Sequence, residues 1–139
     1  MNKKWIVITL IIFLLSSCST NRSQVEVNLP GMVNDSGAFI LVIKENMMPN
    51  EFQNMTPEEL QKRMVADPNS YMRYTLFPSR NFSIEDLDTE NISSLSFFFL
   101  VRSAGSSTMQ WKFYFSKPFL KKYKFLIYKE KITVDREEG

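Results

Sequence analysis

Proton-transfer catalysis near neutral pH leans most often on histidine, and none of the 139 residues is one. The one thiol, Cys18, is the only cysteine available as a nucleophile or metal ligand. Ser103, Ser106 and Ser107 crowd a short stretch, but a serine needs an adjacent base to become a nucleophile. They read as loop serines. Glu85, Asp86, Asp88 and Glu90 form the only dense acidic group, without the alternate spacing and central glycine of a calcium loop, and read as a solvated turn. Four glycines make no phosphate cradle. The chain does not read as an enzyme, and no metal, cofactor or small-molecule substrate is expected.

The position of the thiol is informative. Met1 to Lys4 holds two lysines and no acid, and Trp5 to Leu15 follows as an apolar run broken only by Thr9. That is a charged segment followed by a secretory core, shorter than the roughly 20 apolar residues that span a bilayer. Leu15-Ser16-Ser17-Cys18 then places a branched apolar residue and two small residues before the cysteine, as in the box read by bacterial lipoprotein processing. On this reading residues 1–17 are a signal peptide. Cys18 becomes the new N-terminus, carrying a diacylglyceryl group and an N-acyl chain, which together hold a protein stably on a bilayer. The alternative is an ordinary signal with an incidental or buried cysteine. Ser19, where an aspartate would favour inner-membrane retention, points to the outer membrane and its periplasmic face.

With Lys3 and Lys4 in the signal, the remaining chain balances 15 basic against 15 acidic residues. A nucleic-acid partner would need a broad basic patch that neutralises phosphates, and a near-neutral domain argues against one. Lys117, Lys121, Lys122 and Lys124 form the densest basic stretch, interleaved with Phe119, Tyr123 and Phe125. In an exported chain they read as a solvated strand edge or a surface facing anionic lipid.

Residues 18–24 are polar and aperiodic, a lipidated tether, and residues 25–139 suffice for a single domain whose core is supplied by 11 Phe, 5 Tyr and Trp111. Val25, Val27 and Leu29 alternate as in a half-buried strand, whereas the strand from Ala38 is apolar on both faces and should be central. Thr56-Pro57-Glu58-Glu59 starts a helix over about 57–65, with Leu60 and Met64 on one face. Strands return at 71–77, 82–87 and 94–102. Met109, Trp111, Phe113 and Phe115 then alternate on one side of a further strand, and "KFLIYK" and "KITV" close the chain. Seven or eight short strands with a short helical insertion predict an all-β sandwich.

The order of features resembles a known family. A lipoprotein box and tether precede Asn34-Asp35-Ser36-Gly37 and the strand "AFILVIKE". A helical insertion containing Phe52, Leu60 and Asp67 follows, then a strand followed by Pro78, then "FFFLVRS", then Trp111-Lys112. This is similar to the TssJ (SciN) lipoproteins of type VI secretion systems. Two departures are Glu45-Asn46, where that family usually has a leucine, and Lys112, where it has an arginine. The resemblance implies a transthyretin-like sandwich held on the outer membrane by Cys18. It also implies docking to the periplasmic part of an inner-membrane TssM-like partner through the loop Pro30, Gly31, Met32, Val33, Asn34 and Asp35. Met32 and Val33 are apolar in a polar turn and read either as partner anchors or as a plug closing the sandwich. Two other classes fit the same residues. One is a lipoprotein of a different envelope machine, such as a pilotin. The other is a stand-alone ligand-binding or inhibitor lipoprotein with a deep aromatic-lined pocket.

Overall fold

Strict alternation along the first strand buries Val25 and Val27 and leaves Glu26 at the surface, so this segment forms one wall of a core. A computed structural model describes residues 21–31, 33–106, 109–128 and 131–137. The expected signal peptide, Cys18, Met32 and Ser107 lie outside the described residues. The eight described strands are β1 (Arg22–Asn28), β2 (Phe39–Glu45), β3 (Met72–Leu76), β4 (Phe82–Asp88), β5 (Ser94–Leu100), β6 (Lys112–Ser116), β7 (Lys122–Tyr128) and β8 (Lys131–Glu137). Strand β1 begins at Arg22 and so takes in the last three residues expected as tether.

The strands form two four-stranded sheets, ordered β4-β1-β7-β8 and β3-β2-β5-β6. All pairs are antiparallel except β1 with β7, where Val25 lies beside Tyr123 and Val27 beside Phe125. This is the sandwich expected from the strand count. Between the sheets, Phe125 centres a cluster with Phe97, Phe99 and Phe113, its ring 5.1, 5.1 and 5.4 Å from theirs. Phe115 and Tyr123 meet at 4.6 Å, and the Tyr123 hydroxyl accepts from the Leu120 amide at 2.9 Å. Each such phenyl ring contributes about 2–3 kcal/mol of burial. The rings fill the space themselves.

The second sheet is covered on its outer face as well, which is why β5 is buried at almost every position. The cover is the insertion between β2 and β3, helices α1 (Pro49–Gln53) and α2 (Pro57–Ala66). Helix α2 starts as its sequence predicts, with the Glu59 amide donating to Thr56 Oγ1 at 3.2 Å and Pro57 in the first turn. Leu60 and Met64 face the sheet. Helix α1 has no periodic apolar face and no side-chain cap. Its anchor is the half-buried Phe52, 5.7 Å from Phe98 and 5.1 Å from Tyr114.

Trp111 is buried, but not where alternation with Phe113 would put it. Its ring packs on Phe98, 5.6 Å away, on the layer beneath the insertion, whereas Phe113 packs on Phe125 between the sheets. Strand β6 is an edge strand, and Trp111 lies one residue before it, its carbonyl accepting from the Phe99 amide at 2.8 Å while its side chain packs in the other layer.

Candidate docking surface

Strand direction sorts the connections into two poles. The chain enters β1 at Arg22, and the β6–β7 connection lies beside that entry, with the Gln24 amide donating to the Lys121 carbonyl at 2.9 Å. At the other end of β1 the chain crosses to β2, and because β5 and β3 run antiparallel to β2, both finish at that same end. The β1–β2, β3–β4 and β5–β6 connections therefore cluster at the pole opposite the entry.

The β1–β2 loop there is held in a costly shape. Asn34, Asp35 and Ser36 are consecutive left-handed residues, with φ of 52°, 50° and 61°. Non-glycine residues in this region cost on the order of 1 kcal/mol or more each, least for Asn and Asp, so the surroundings must impose it. They do so through hydrogen bonds. Ser36 and Gly37 amides donate to Val33 and Asn34 carbonyls at 2.8 and 2.9 Å, and Asn34 Nδ2 donates to the Gly37 carbonyl at 2.9 Å. Asn34 Oδ1 accepts from the Arg102 amide at 2.7 Å, tying the loop to the end of β5. On the other side the Ser79 amide donates to the Leu29 carbonyl at 3.0 Å. Gly31 lies so close that a Cβ would meet Ser79 Oγ at 2.7 Å. The three connections form one braced surface.

Within it, Val33 is 0% exposed and belongs to the core, closing the sandwich beneath the loop. Of the other residues expected to contact a partner, Pro30 and Asn34 are half-buried, and Gly31 and Asp35 are exposed. The Asp35 carboxylate faces Arg102 Nη1 at 3.4 Å, with side chains 82% and 69% exposed. Such a pair is worth little to stability and is available to another molecule.

Sequence reasoning did not find the apolar ground beside this loop. Ile40 lies between Thr75 of β3 and Leu100 of β5, on the part of the outer sheet face that the insertion leaves open, and is 37% exposed. Phe77, just past β3, is 48% exposed with the Arg80 guanidinium 5.5 Å over its ring. These residues come from segments far apart in the chain. Only the strand pairing brings Ile40, Thr75 and Leu100 together.

At the other edge, Lys112 fastens the insertion. Its Nζ donates to the carbonyls of Phe52, Gln53 and Met55 at 2.8, 2.9 and 3.0 Å and sits 5.1 Å from the Phe52 ring centre. Burial pushes this ammonium below the usual lysine range. The acidic group is dispersed along β4 and the turn after it: Asp86 pairs with Arg22 at 2.7 Å, Glu85 accepts from Gln24 at 2.9 Å, and Asp88 accepts from the Glu90 amide at 2.9 Å. Among the described residues no group of His, Cys, Asp or Glu is arranged to hold a metal ion. Two surface clefts, of about 230 and 290 Å³, lie beside Trp111 and Pro57 and beside Tyr71 and Lys44. Both are open and below the size of an ordinary ligand pocket.

No protein-family model and no curated protein matches the chain. Solved structures do. The T6SS lipoprotein TssJ1 from Pseudomonas aeruginosa superposes with a TM-score of 0.66 at 15% identity, covering 86% of this chain and 98% of that one. This chain has the TssJ fold. Serratia marcescens Lip, a membrane-bound component of the type VI secretion system, shares it with a TM-score of 0.60 at 9% identity, over 85% of this chain and 99% of that one. A chain in the structure of the T6SS protein TssM C-terminal domain (869-1107) from EAEC does so with a TM-score of 0.66 at 9% identity, over 85% and 100%. At such identities the TssJ fold is retained while most residues differ, so the docking surface has to be argued from this chain's own side chains.

Proposed function

We propose that this chain is a TssJ-like lipoprotein that fixes a trans-envelope secretion complex to the outer membrane. Acyl chains on Cys18 hold it on the periplasmic face, and it docks the periplasmic domain of an inner-membrane TssM-like partner. One observation carries this reading: the braced β1–β2 loop lies at the pole opposite the start of β1, the strand nearest Cys18 in the chain. A domain tethered at one pole presents the other away from the membrane. The contact surface is Pro30, Gly31, Asn34 and Asp35, extended by Arg102 and Phe77. The occurrence of this fold in structures of the type VI membrane complex and of the TssM C-terminal domain supports the choice of partner. The reading assigns no catalysis, in keeping with a chain that has no histidine.

The test is capture from detergent-solubilised envelopes with the lipidated protein as bait. The wild type should retain a large inner-membrane protein with a periplasmic domain. Asp35→Asn combined with Arg102→Glu should lower that capture about tenfold while melting stays within about 2 °C, because the pair is exposed. Unchanged capture by the double variant would place the interface elsewhere. Cys18→Ser should leave a folded protein off the membrane.

A further inference from the structure

We propose that the β6–β7 connection, residues 117–121, is a second interaction surface that rests on anionic lipid headgroups and sets the tilt of the tethered domain. The inference rests on the reading that Cys18 carries acyl chains. Its starting point is proximity along the chain. Cys18 is four residues before Arg22, so the chain between them spans at most about 14 Å, under two Debye lengths at physiological salt. The connection is bonded to that same start: the Gln24 amide donates to the Lys121 carbonyl at 2.9 Å and Ser23 Oγ to the Leu120 carbonyl at 2.6 Å.

Charge then selects the occupant. Lys117 and Lys121 are exposed, and among the described residues neither has a carboxylate within ion-pairing distance. Lys122 and Lys124, one step into β7, differ in sharing Glu26 at 3.6 and 3.8 Å. Of the acids near this pole, Asp86 is taken by Arg22 and Asp88 by the Glu90 amide on the far side of β1, and Glu137 of β8 lies beside Lys122 in the β7–β8 register. Among the described residues the lysines of this pole left without an ion pair are therefore Lys117 and Lys121, both on the β6–β7 connection. Half-buried Phe119 and Leu120 pack against the core and hold the lysines at a fixed height. A rigid, unpaired basic loop within tether reach of a bilayer fits phosphate-bearing headgroups.

The experiment uses the full lipidated chain, reconstituted into vesicles of phosphatidylcholine alone or with about 30 mol% phosphatidylglycerol. Flotation reports anchoring, and lysine acetylation read by mass spectrometry reports contact. On the anionic vesicles, labelling of Lys117 and Lys121 should fall about fivefold relative to the neutral ones and recover in about 0.5 M salt. Lys131, exposed at the opposite pole, should not change. Equal labelling on both vesicles with full flotation overturns the inference and leaves the anchor standing. Equal protection of Lys131 overturns it too, since that is crowding without orientation. Failure to float overturns the anchor reading and this inference with it.

Discussion

Replacing Lys112 by Met tests how the insertion is held. The substitution keeps an unbranched apolar stem but removes a cation that donates to three carbonyls at 2.8, 2.9 and 3.0 Å. Hydrogen bonds to a charged donor contribute about 1.5–3 kcal/mol each when buried. Lys112 is only half-buried, and water can reach some of the freed carbonyls, so a total of about 2–3 kcal/mol is the reasonable figure. Loss of the cation over Phe52 adds about 0.5 kcal/mol. For a domain of this size each kcal/mol lowers Tm by about 3–6 °C, which predicts a fall of about 8–20 °C in thermal unfolding. Amides that Lys112 does not touch, such as Leu60, should lose hydrogen-exchange protection at the same time, because α1 and α2 share the cover over Phe98. Lys112→Arg should cost less, since its flat guanidinium keeps the charge but cannot aim at three carbonyls as a rotating ammonium does. A Tm within about 2 °C of wild type, with Leu60 still protected, would refute the argument.

Asn34→Ala removes the bonds to Gly37 and to the Arg102 amide from a left-handed residue. It should cost about 2–3 kcal/mol in urea unfolding and weaken partner capture, since the loop loses its tie to β5. Ser96 is fully buried and its Oγ has no hydrogen-bond partner among the described residues, so Ser96→Ala should leave the stability unchanged or raise it by about 1 kcal/mol. Burial raises the Tyr71 phenol above its usual 10.0, so between that value and its folded value the folded chain holds more protons than the unfolded one. Stability from this group is therefore lost as pH rises through that window. Urea titrations on either side of pH 10 should show a shallower alkaline decline in Tyr71→Phe.

Much of the fold was legible because the signals are local. Alternation in β1, the doubly apolar β2 and β5, and the Thr56-Pro57 cap each depend on residues within one turn or one strand. Helix α1 escaped the pattern reading because five residues carry no period, and what holds it is a lysine 57–60 positions away. Trp111 was correctly read as buried, but its ring packs on Phe98 and not in the layer that alternation with Phe113 indicates. Val33 could be read two ways from its neighbours, and its burial decides for the core.

By itself, then, the sequence determined a histidine-free chain and a strand-rich domain, because these follow from residue type and short-range order, and it raised the expectation of a lipoprotein N-terminus. The tertiary structure decided the surfaces. Parallel pairing of β1 with β7 puts the β6–β7 lysines beside the entry to β1, and the antiparallel β3-β2-β5 pairing puts Asn34, Phe77 and Arg102 at the opposite pole. Such juxtapositions arise from hydrogen bonds between residues far apart in the chain, as in the 68-residue separation of Asn34 and Arg102, and no local pattern encodes them.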